Sequence, residues 1–310
     1  MRAAIIDLGT NTFKLLVAER PQGAATGLHI LHSEEVGVFL GRGGVEKNLL
    51  ADEAMERGMA TLRTFAAKAR ELGAAQVGAF GTSAMRNARN GSAYADRIHA
   101  ELGITVQIIP GGEEASLILD GVRQAVPFGN KPVLVMDIGG GSTEFILATG
   151  KALMWKHSFE LGTTRLFERF PQTDPMDLDT QLRMAAHIDA QLEELWAVMD
   201  RHWLATLVGS AGSFDSIARM VALQRGSPLA EDAATSSFDT TEFDALKDHI
   251  IRMPRAGRCQ LPGLPAFRAD TIIPALMLIE RVVLHSIQRI AWSRYSLKEG
   301  AMARMIGGPV

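Results

Sequence analysis

Cysteine is almost missing: Cys259 is the one thiol in 310 residues. That excludes an internal disulfide framework and a cysteine-rich zinc site, and it is compatible with a reducing compartment. Proline is scarce, at 12 residues, while 47% of the chain is hydrophobic and 22% charged, which supplies an ordinary folded core and argues against disorder. Net charge is small as well. A formal value of −3 argues against a nucleic-acid protein working through bulk charge, with a local basic patch left open. No targeting or membrane segment is legible. The N-terminus, Met1-Arg2-Ala3-Ala4-Ile5-Ile6-Asp7, reaches an acid before a signal-length apolar stretch can form. The most apolar later stretch, Thr271 to Ile290, contains Pro274, Glu280, Arg281, His285 and Arg289 and reads as a core helix. These absences predict a soluble, cytoplasmic protein with neither nucleic acid nor membrane as partner. The eight histidines include no His-Glu-x-x-His pattern, and the chain has no Gly-x-Ser-x-Gly elbow and no Gly-x-x-x-x-Gly-Lys-[Ser/Thr] loop.

Glycine is plentiful, at 30 residues, and its placement organises the chain. At roughly 150 residues per domain the length predicts two domains. Ala3–Asp7 and Thr12–Ala18 read as strands joined by the turn Leu8-Gly9-Thr10-Asn11. Glu53 to Leu72 has helical apolar spacing, with Asp52 as N-cap and Gly73 as its stop. Gln76–Phe80 and Thr105–Ile109 read as strands, Ser92 to Leu102 as a helix, and Gly111-Gly112 opens another helix to about Val126. Pro127 to Pro132 reads as a junction, after which the opening pattern returns. Val133–Asp137 is an apolar strand, Ile138 to Thr143 a turn, and Glu144–Ala148 a returning strand. Asp-Leu-Gly-Thr-Asn-Thr near residue 7 thus has a partner, Asp-Ile-Gly-Gly-Gly-Ser-Thr, near residue 137, which suggests a duplicated α/β fold. A strand at Lys156–Leu161, one long helix over 177–202, a strand at Ala205–Val208, a polar stretch over 227–241 and helical segments to the C-terminus complete the reading.

The paired turns point to phosphate chemistry. Gly139, Gly140 and Gly141 let the backbone approach an anion with its N–H groups, and Ser142 and Thr143 add hydroxyl donors. Asp137 and Glu144 flank the turn as candidate holders of Mg²⁺, directly or through water. In the first turn Asp7 is a candidate orienter of water or metal, with Thr10, Asn11 and Thr12 as donors. Read alone, the glycine turn is first of all a tight connection between core strands, and the first turn can be a plain Asx-type turn; the flanking acids and the pairing of the two turns are what favour the anion. Gly209-Ser210-Ala211-Gly212-Ser213 follows a strand and opens a helix, so Gly209, Ser210 and Gly212 form a candidate third anion contact. Thr82, Ser83 and Arg86 follow another strand, and Arg86 suits charge-assisted contact with phosphate. Glu113 and Glu114 begin a helix, where acids are ordinary; a carboxylate at a phosphate site can also deprotonate an attacking water.

Together these segments resemble the exopolyphosphatase/guanosine pentaphosphate phosphohydrolase (Ppx/GppA) family of the actin–Hsp70–sugar-kinase superfamily. The resemblance runs collinearly through Ile6–Thr12, Gly81–Asn90, Gly111–Ala115, Asp137–Glu144, Leu161-Gly162, Val208–Ser213, Arg268–Ile273 and Lys298-Glu299-Gly300. It implies two ribonuclease-H-like (actin-like) domains enclosing an interdomain cleft: residues 1–126 plus a returning helix over 297–310, and residues 127–296. It implies Glu114 as catalytic base, Asp137 and Glu144 as the Mg²⁺- and water-organising acids, and Asn11, Arg86, the Gly139–Gly141 backbone and Ser142 as holders of the terminal phosphates, with Arg268 on the family's Arg-Ala-Asp motif. Two departures stand out. Longer members carry a further helical region that these 310 residues do not include. The segment usually seen as Gly-x-Gly-Gly-Thr has Ala211 in place of one glycine.

The expected activity is Mg²⁺-dependent release of the terminal phosphate of inorganic polyphosphate, with no covalent enzyme intermediate. The nearest alternative substrate is pppGpp, hydrolysed to ppGpp. An actin-fold ATPase or kinase, and a non-catalytic sensor of polyphosphate or alarmone, are the other classes. A homodimer is left open as the assembly. Finally, Arg252, Arg255, Arg258 and Arg268 lie in a stretch, residues 249–269, without Asp, Glu or Lys. It reads either as a solvated basic loop or as a surface on which Arg255 and Arg258 collect a long polyanion.

Overall fold

The computed structural model describes residues 1–20, 27–171 and 173–307. Each half begins with two apolar strands joined by a short turn. In the first half β1 (Arg2–Leu8) and β2 (Thr12–Glu19) are buried along most of their length, as befits central strands of a sheet covered on both faces. β3 (His29–Gly37), α1 (Asp52–Glu71), β4 (Gln76–Gly81), α2 (Ser83–Asn87), α3 (Gly91–Leu102), β5 (Val106–Ile108) and α4 (Gly111–Ala125) follow. The α1 face carrying Ala54, Met59, Leu62, Phe65 and Ala69 is buried, and Gly73 ends the helix at φ 71°, a left-handed conformation suited to glycine. The second half contains β6 (Val133–Ile138), β7 (Thr143–Ala148), β8 (Leu153–Phe159), α5 (Thr163–Arg169), α6 (Leu178–Gln191), α7 (Glu193–Met199), β9 (Thr206–Ser210), α8 (Ala211–Gln224), β10 (Thr235–Asp239), α9 (Thr240–Ile251), α10 (Arg255–Arg258), α11 (Ile272–Val283) and β11 (Arg289–Ser293). The final helix is α12 (Leu297–Gly307), and positions 308–310 of the expected returning helix lie outside the described residues.

The chain divides into two units, Met1–Gln124 with the C-terminal stretch from Tyr295, and Ala125–Arg294. The first sheet has the order β3-β2-β1-β4-β5, and the second β10-β11-β9-β6-β7-β8. In the first, β1 is antiparallel to β2 and parallel to β4. In the second, β6 is antiparallel to β7 and parallel to β9. The duplication read from the two turns is therefore a duplication of sheet topology. Within the first unit, α12 packs against α4 with the backbones in near contact: a Cβ on Gly300 would lie 1.8 Å from Leu117 O, and one on Gly121 would lie 1.9 Å from Ser296 O.

Several local expectations need correction. The cap of α1 is Ala51, and Asp52 is the first helical residue, where its charge complements the helix dipole without a capping hydrogen bond. The expected helix over 177–202 is two helices that part at Leu192, where the Trp196 indole donates to Asp189 O at 3.0 Å. Its N-cap is Asp177, whose carboxylate accepts from Thr180 N–H at 2.8 Å. Thr271–Ile290 is not one helix. It ends at Val283, the chain turns through Ser286 at φ 65°, and β11 begins at Arg289. The strands β3 and β10 fall where no strand was expected; both are edge strands, and only Phe238 of β10 is buried. Among the described residues, no helix is long and apolar enough to cross a membrane.

Candidate active site

In the first unit, Asp7 near the end of β1 is paired in register with Lys14 of β2. Opposed residues of an antiparallel pair share a sheet face, and the Lys14 ammonium lies 3.9 Å from Asp7 Oδ2. The turn between them is closed by Gly9 N–H donating to Thr12 O at 3.1 Å. Its carbonyls are gripped from one side. Gly41 N–H donates to Thr10 O at 3.0 Å, and the N–H groups of Val38 and Phe39 donate to Asn11 O at 3.0 and 2.8 Å. A planar trans peptide points its C=O and N–H in opposite directions, so the Asn11 N–H faces away from residues 38–41. The Thr10 methyl packs against Gly41, where an added Cβ would lie 2.4 Å from it. Thr10 is buried, while Asn11 and Thr12 are half-buried.

The arginine and the acids of this unit meet. From α2, Arg86 Nη1 donates to Ile109 O at 3.1 Å and to Glu114 Oε2 at 2.7 Å. Glu114 is 7% exposed. Its neighbour Glu113 points to the surface, where Arg304 of α12 donates to it at 2.6 Å. Consecutive helix positions lie about 100° apart, which separates the two carboxylates. Of the two, only Glu114 is directed inward, toward Arg86. The Thr82 hydroxyl donates to Leu8 O at 3.4 Å, and Ser83 Oγ accepts from Asn87 Nδ2 at 3.2 Å. Both side chains are buried and tie the β4–α2 connection to its surroundings.

In the second unit, Asp137 of β6 and Glu144 of β7 are directly opposed and buried. Such positions hold their Cβ atoms about 4.5–5.5 Å apart on one face. Ser210 Oγ donates to Asp137 Oδ2 at 2.5 Å, and the Ser142 and Ser158 hydroxyls each donate to Glu144 Oε1 at 2.7 Å. The donor set is entirely oxygen, the chemistry of a hard divalent cation. Among the described residues no three His, Cys, Asp or Glu side chains form a ready-made metal cluster. Asp137 and Glu144 fit a Mg²⁺ that draws its remaining ligands from phosphate oxygens and water, the usual manner of that ion. The glycine turn beside them is gripped as the first one is: Thr163 N–H donates to Gly139 O at 3.0 Å and Thr164 N–H to Gly140 O at 2.9 Å. Gly162 is needed for this approach, since a Cβ there would lie 2.3 Å from Gly140 C and O. Thr143 is corrected: it is fully buried, and its hydroxyl donates to Leu161 O at 2.5 Å.

The third glycine segment divides by role. Gly209 makes room for the Phe214 ring, which a Cβ would meet at 2.0 Å, and so serves packing. Gly212 makes room for the Arg268 guanidinium, whose Nη2 would lie 2.1 Å from an added Cβ. Arg268 is buried and donates to Ser216 Oγ at 3.2 Å, so it sits at the start of α8 as a structural partner of that segment. Ser210 supplies its hydroxyl to Asp137. The basic loop reading is overturned. Arg258 is 4% exposed and donates to Ala269 O at 2.9 Å and Met253 O at 2.6 Å, and burial pushes its guanidinium pKa down. Arg255 pairs with Asp270 through two hydrogen bonds of 2.5 and 3.2 Å. These arginines hold the segment together.

Three contributors escaped the sequence reading. Lys14 reaches Asp7 because a strand alternates with period two, which the register alone makes visible. Ser158 reaches Glu144 because β8 pairs with β7. The grips at Val38–Gly41 and Gly162–Thr164 come from the segment after the third strand of each unit; Leu-Gly stands at residues 40–41 in the first and at 161–162 at the start of the second, a segment the resemblance included without a role.

Comparison with known proteins places these features in a group. The profile of the Ppx/GppA phosphatase family matches residues 16–307. A Mycobacterium tuberculosis protein named exopolyphosphatase 2 is 29% identical over 307 residues, covering 96% of this chain and 95% of the relative. A crystal structure of an exopolyphosphatase from Cytophaga hutchinsonii superposes with a TM-score of 0.96 at 37% identity, covering 100% of this chain and 99% of that one. The Aquifex aeolicus member of the Ppx/GppA family has the same fold, with a TM-score of 0.80 at 22% identity and coverage of 99% and 97%.

Proposed function

The chain belongs to the Ppx/GppA phosphatase family, whose members are hydrolases of phosphoanhydride bonds, and from that membership we propose that it removes the terminal phosphate of inorganic polyphosphate with the help of Mg²⁺. The observation that carries this reading is the buried Glu114 carboxylate, aimed inward and held by Arg86. Phosphoryl transfer asks a protein for positioning and charge neutralisation more than for covalent chemistry. Glu114 takes a proton from the attacking water as the new P–O bond forms. The bridging P–O bond breaks, and the shortened chain leaves as an anion that needs no proton at neutral pH. Arg86 offsets negative charge on the phosphate and, through its hydrogen bond to Oε2, orients Glu114. The amides of Gly140, Gly141 and Ser142 receive phosphate oxygens. Mg²⁺, held by Asp137 and Glu144, would offset the phosphate charge as a Lewis acid. Polyphosphate is preferred over pppGpp on the names of the mycobacterial and Cytophaga relatives.

A phosphate-release panel tests the reading: tripolyphosphate, long polyphosphate, pppGpp and ATP, with and without Mg²⁺. Release from polyphosphate that requires Mg²⁺ is expected. Release from pppGpp alone moves the substrate, and transfer to an acceptor other than water moves the reaction class. Glu114→Gln should lower turnover by about 10²–10⁴-fold with binding largely kept, the usual range for a lost general base. Near-normal turnover in that variant removes Glu114 from its role.

A further inference from the structure

Arg165 has no place in the reading so far. It is the third residue of α5, and its side chain is 13% exposed. Its Nε donates to Gly141 O at 2.7 Å, and its Nη2 donates to Glu160 Oε2 at 2.9 Å. With Thr163 on Gly139 O and Thr164 on Gly140 O, three successive carbonyls of the glycine turn are held from the α5 side. The peptides are trans and planar, so the three N–H groups that share them, on Gly140, Gly141 and Ser142, point the other way. Among the described residues none of those three N–H groups has a protein acceptor. Successive N–H groups turned to one side form an anion-binding concavity.

We propose that Arg165 is a positioning residue: by holding Gly141 O it orients the Gly141–Ser142 peptide and so completes a three-amide cradle for the terminal phosphate. The inference rests on the proposed substrate class. Two of the three carbonyls are held by main-chain donors, fixed by the start of α5. The third is held only through a side chain, so it is the point at which the cradle can be weakened by substitution without altering the turn's own sequence. The pair with Glu160 holds the guanidinium plane in place, and Arg165 acts through the peptide it orients.

The test uses the full chain with Glu114→Gln, so that tripolyphosphate is not consumed, and compares it with the same protein carrying Arg165→Ala or Arg165→Lys. Lysine keeps the charge and the stem but has no donor at the Nε position. Calorimetric titration with tripolyphosphate should show both substitutions weakening affinity by about tenfold, the upper scale of one hydrogen bond's net contribution, with thermal midpoints close to the parent. The ¹⁵N-amide shifts of Gly141 and Ser142 on adding inorganic phosphate should be large in the parent and small in both variants. Affinity and shifts retained by Arg165→Lys overturn the proposal, because charge and not peptide orientation would then be what matters. Should Arg165→Ala fail to fold, the lysine variant decides alone. If the parent binds no tripolyphosphate at all, the substrate reading fails; the phosphate-induced amide shifts then judge Arg165, unchanged shifts between parent and variants overturning its role.

Discussion

Gly162→Ala is a stringent probe of how the second unit holds its glycine turn. The new Cβ would lie 2.3 Å from Gly140 C and O and 2.5 Å from Gly141 N, all backbone atoms. Carbon atoms in ordinary contact sit about 3.5–4.0 Å apart, so the turn and the start of α5 must separate by about 1 Å. The Thr163–Gly139 and Thr164–Gly140 hydrogen bonds, now 3.0 and 2.9 Å, would then stretch beyond useful length. Overpacking costs about 1–3 kcal/mol and each of the two lost hydrogen bonds about 0.5–1.5 kcal/mol, which together give about 2–6 kcal/mol of destabilisation. A displacement of about 1 Å at a positioning group costs about 10²-fold in rate. Phosphate release from tripolyphosphate and urea unfolding measure the two effects. Gly41→Ala is the internal comparison, since its Cβ meets the Thr10 methyl at 2.4 Å, a side-chain atom that can rotate aside; its rate loss should be about tenfold smaller. A Gly162→Ala protein within threefold of wild type in kcat/KM, with an unchanged urea midpoint, would refute the account of the grip.

Four further outcomes are expected. Arg258→Ala should destabilise by about 2–4 kcal/mol in urea unfolding, because it leaves buried carbonyls without a donor, while Arg255→Ala, at an exposed ion pair, should cost about 0–1 kcal/mol; neither should alter the salt dependence of long-polyphosphate binding. Ala211 holds φ 65°, a left-handed conformation, so Ala211→Gly should raise stability by about 0.5–1 kcal/mol. Donation from the Thr180 N–H, then from the Thr173 and Thr180 hydroxyls, lowers the Asp177 pKa to about 2. Its cap therefore stabilises fully above pH about 4, the range of a free aspartate, and the difference in thermal midpoint between wild type and Asp177→Asn should shrink as pH falls from about 4 toward 2. Asp137→Asn should raise the Mg²⁺ concentration needed for phosphate release steeply, since an amide is a poor ligand for a hard cation; Asp7→Asn should leave that titration in place.

The parts of this protein that were legible in the sequence are those where backbone chemistry demands particular residues. Glycines between two apolar strands can do little except turn, so the repeat at residues 7 and 137 gave the duplicated fold, and Gly73 marked its helix end. Where tertiary contacts decide, the reading failed. Nothing local to Leu192 breaks a helix; the break accompanies a hydrogen bond from Trp196 back to Asp189. Ser286 reverses the chain in a conformation that glycine normally advertises, so α11 and β11 read as one helix. The edge strands β3 and β10 have weak alternation because only part of each is covered. The site shows the same division. Asp137, Glu144, Arg86 and Glu114 were singled out by residue type, whereas the packing of the Thr10 methyl on Gly41 and the Thr143–Leu161 hydrogen bond depend on neighbours far along the chain.

Topology makes one comparison that residue type could not. The pair Asp7–Lys14 in the first unit and the pair Asp137–Glu144 in the second occupy equivalent register positions, on the first two strands of each sheet and directly beside the turn. The first pair is neutral and contains its own counter-charge, 3.9 Å away. The second carries two carboxylates on one face, each steadied by hydroxyl donors, and buried like charges call for a cation to offset them. The two units are copies of one frame, and the matching position holds lysine in the first and glutamate in the second, so only the second presents two carboxylates side by side. That asymmetry is why the Mg²⁺ titration should respond to Asp137 and not to Asp7, although the two aspartates occupy matching places at the ends of matching strands.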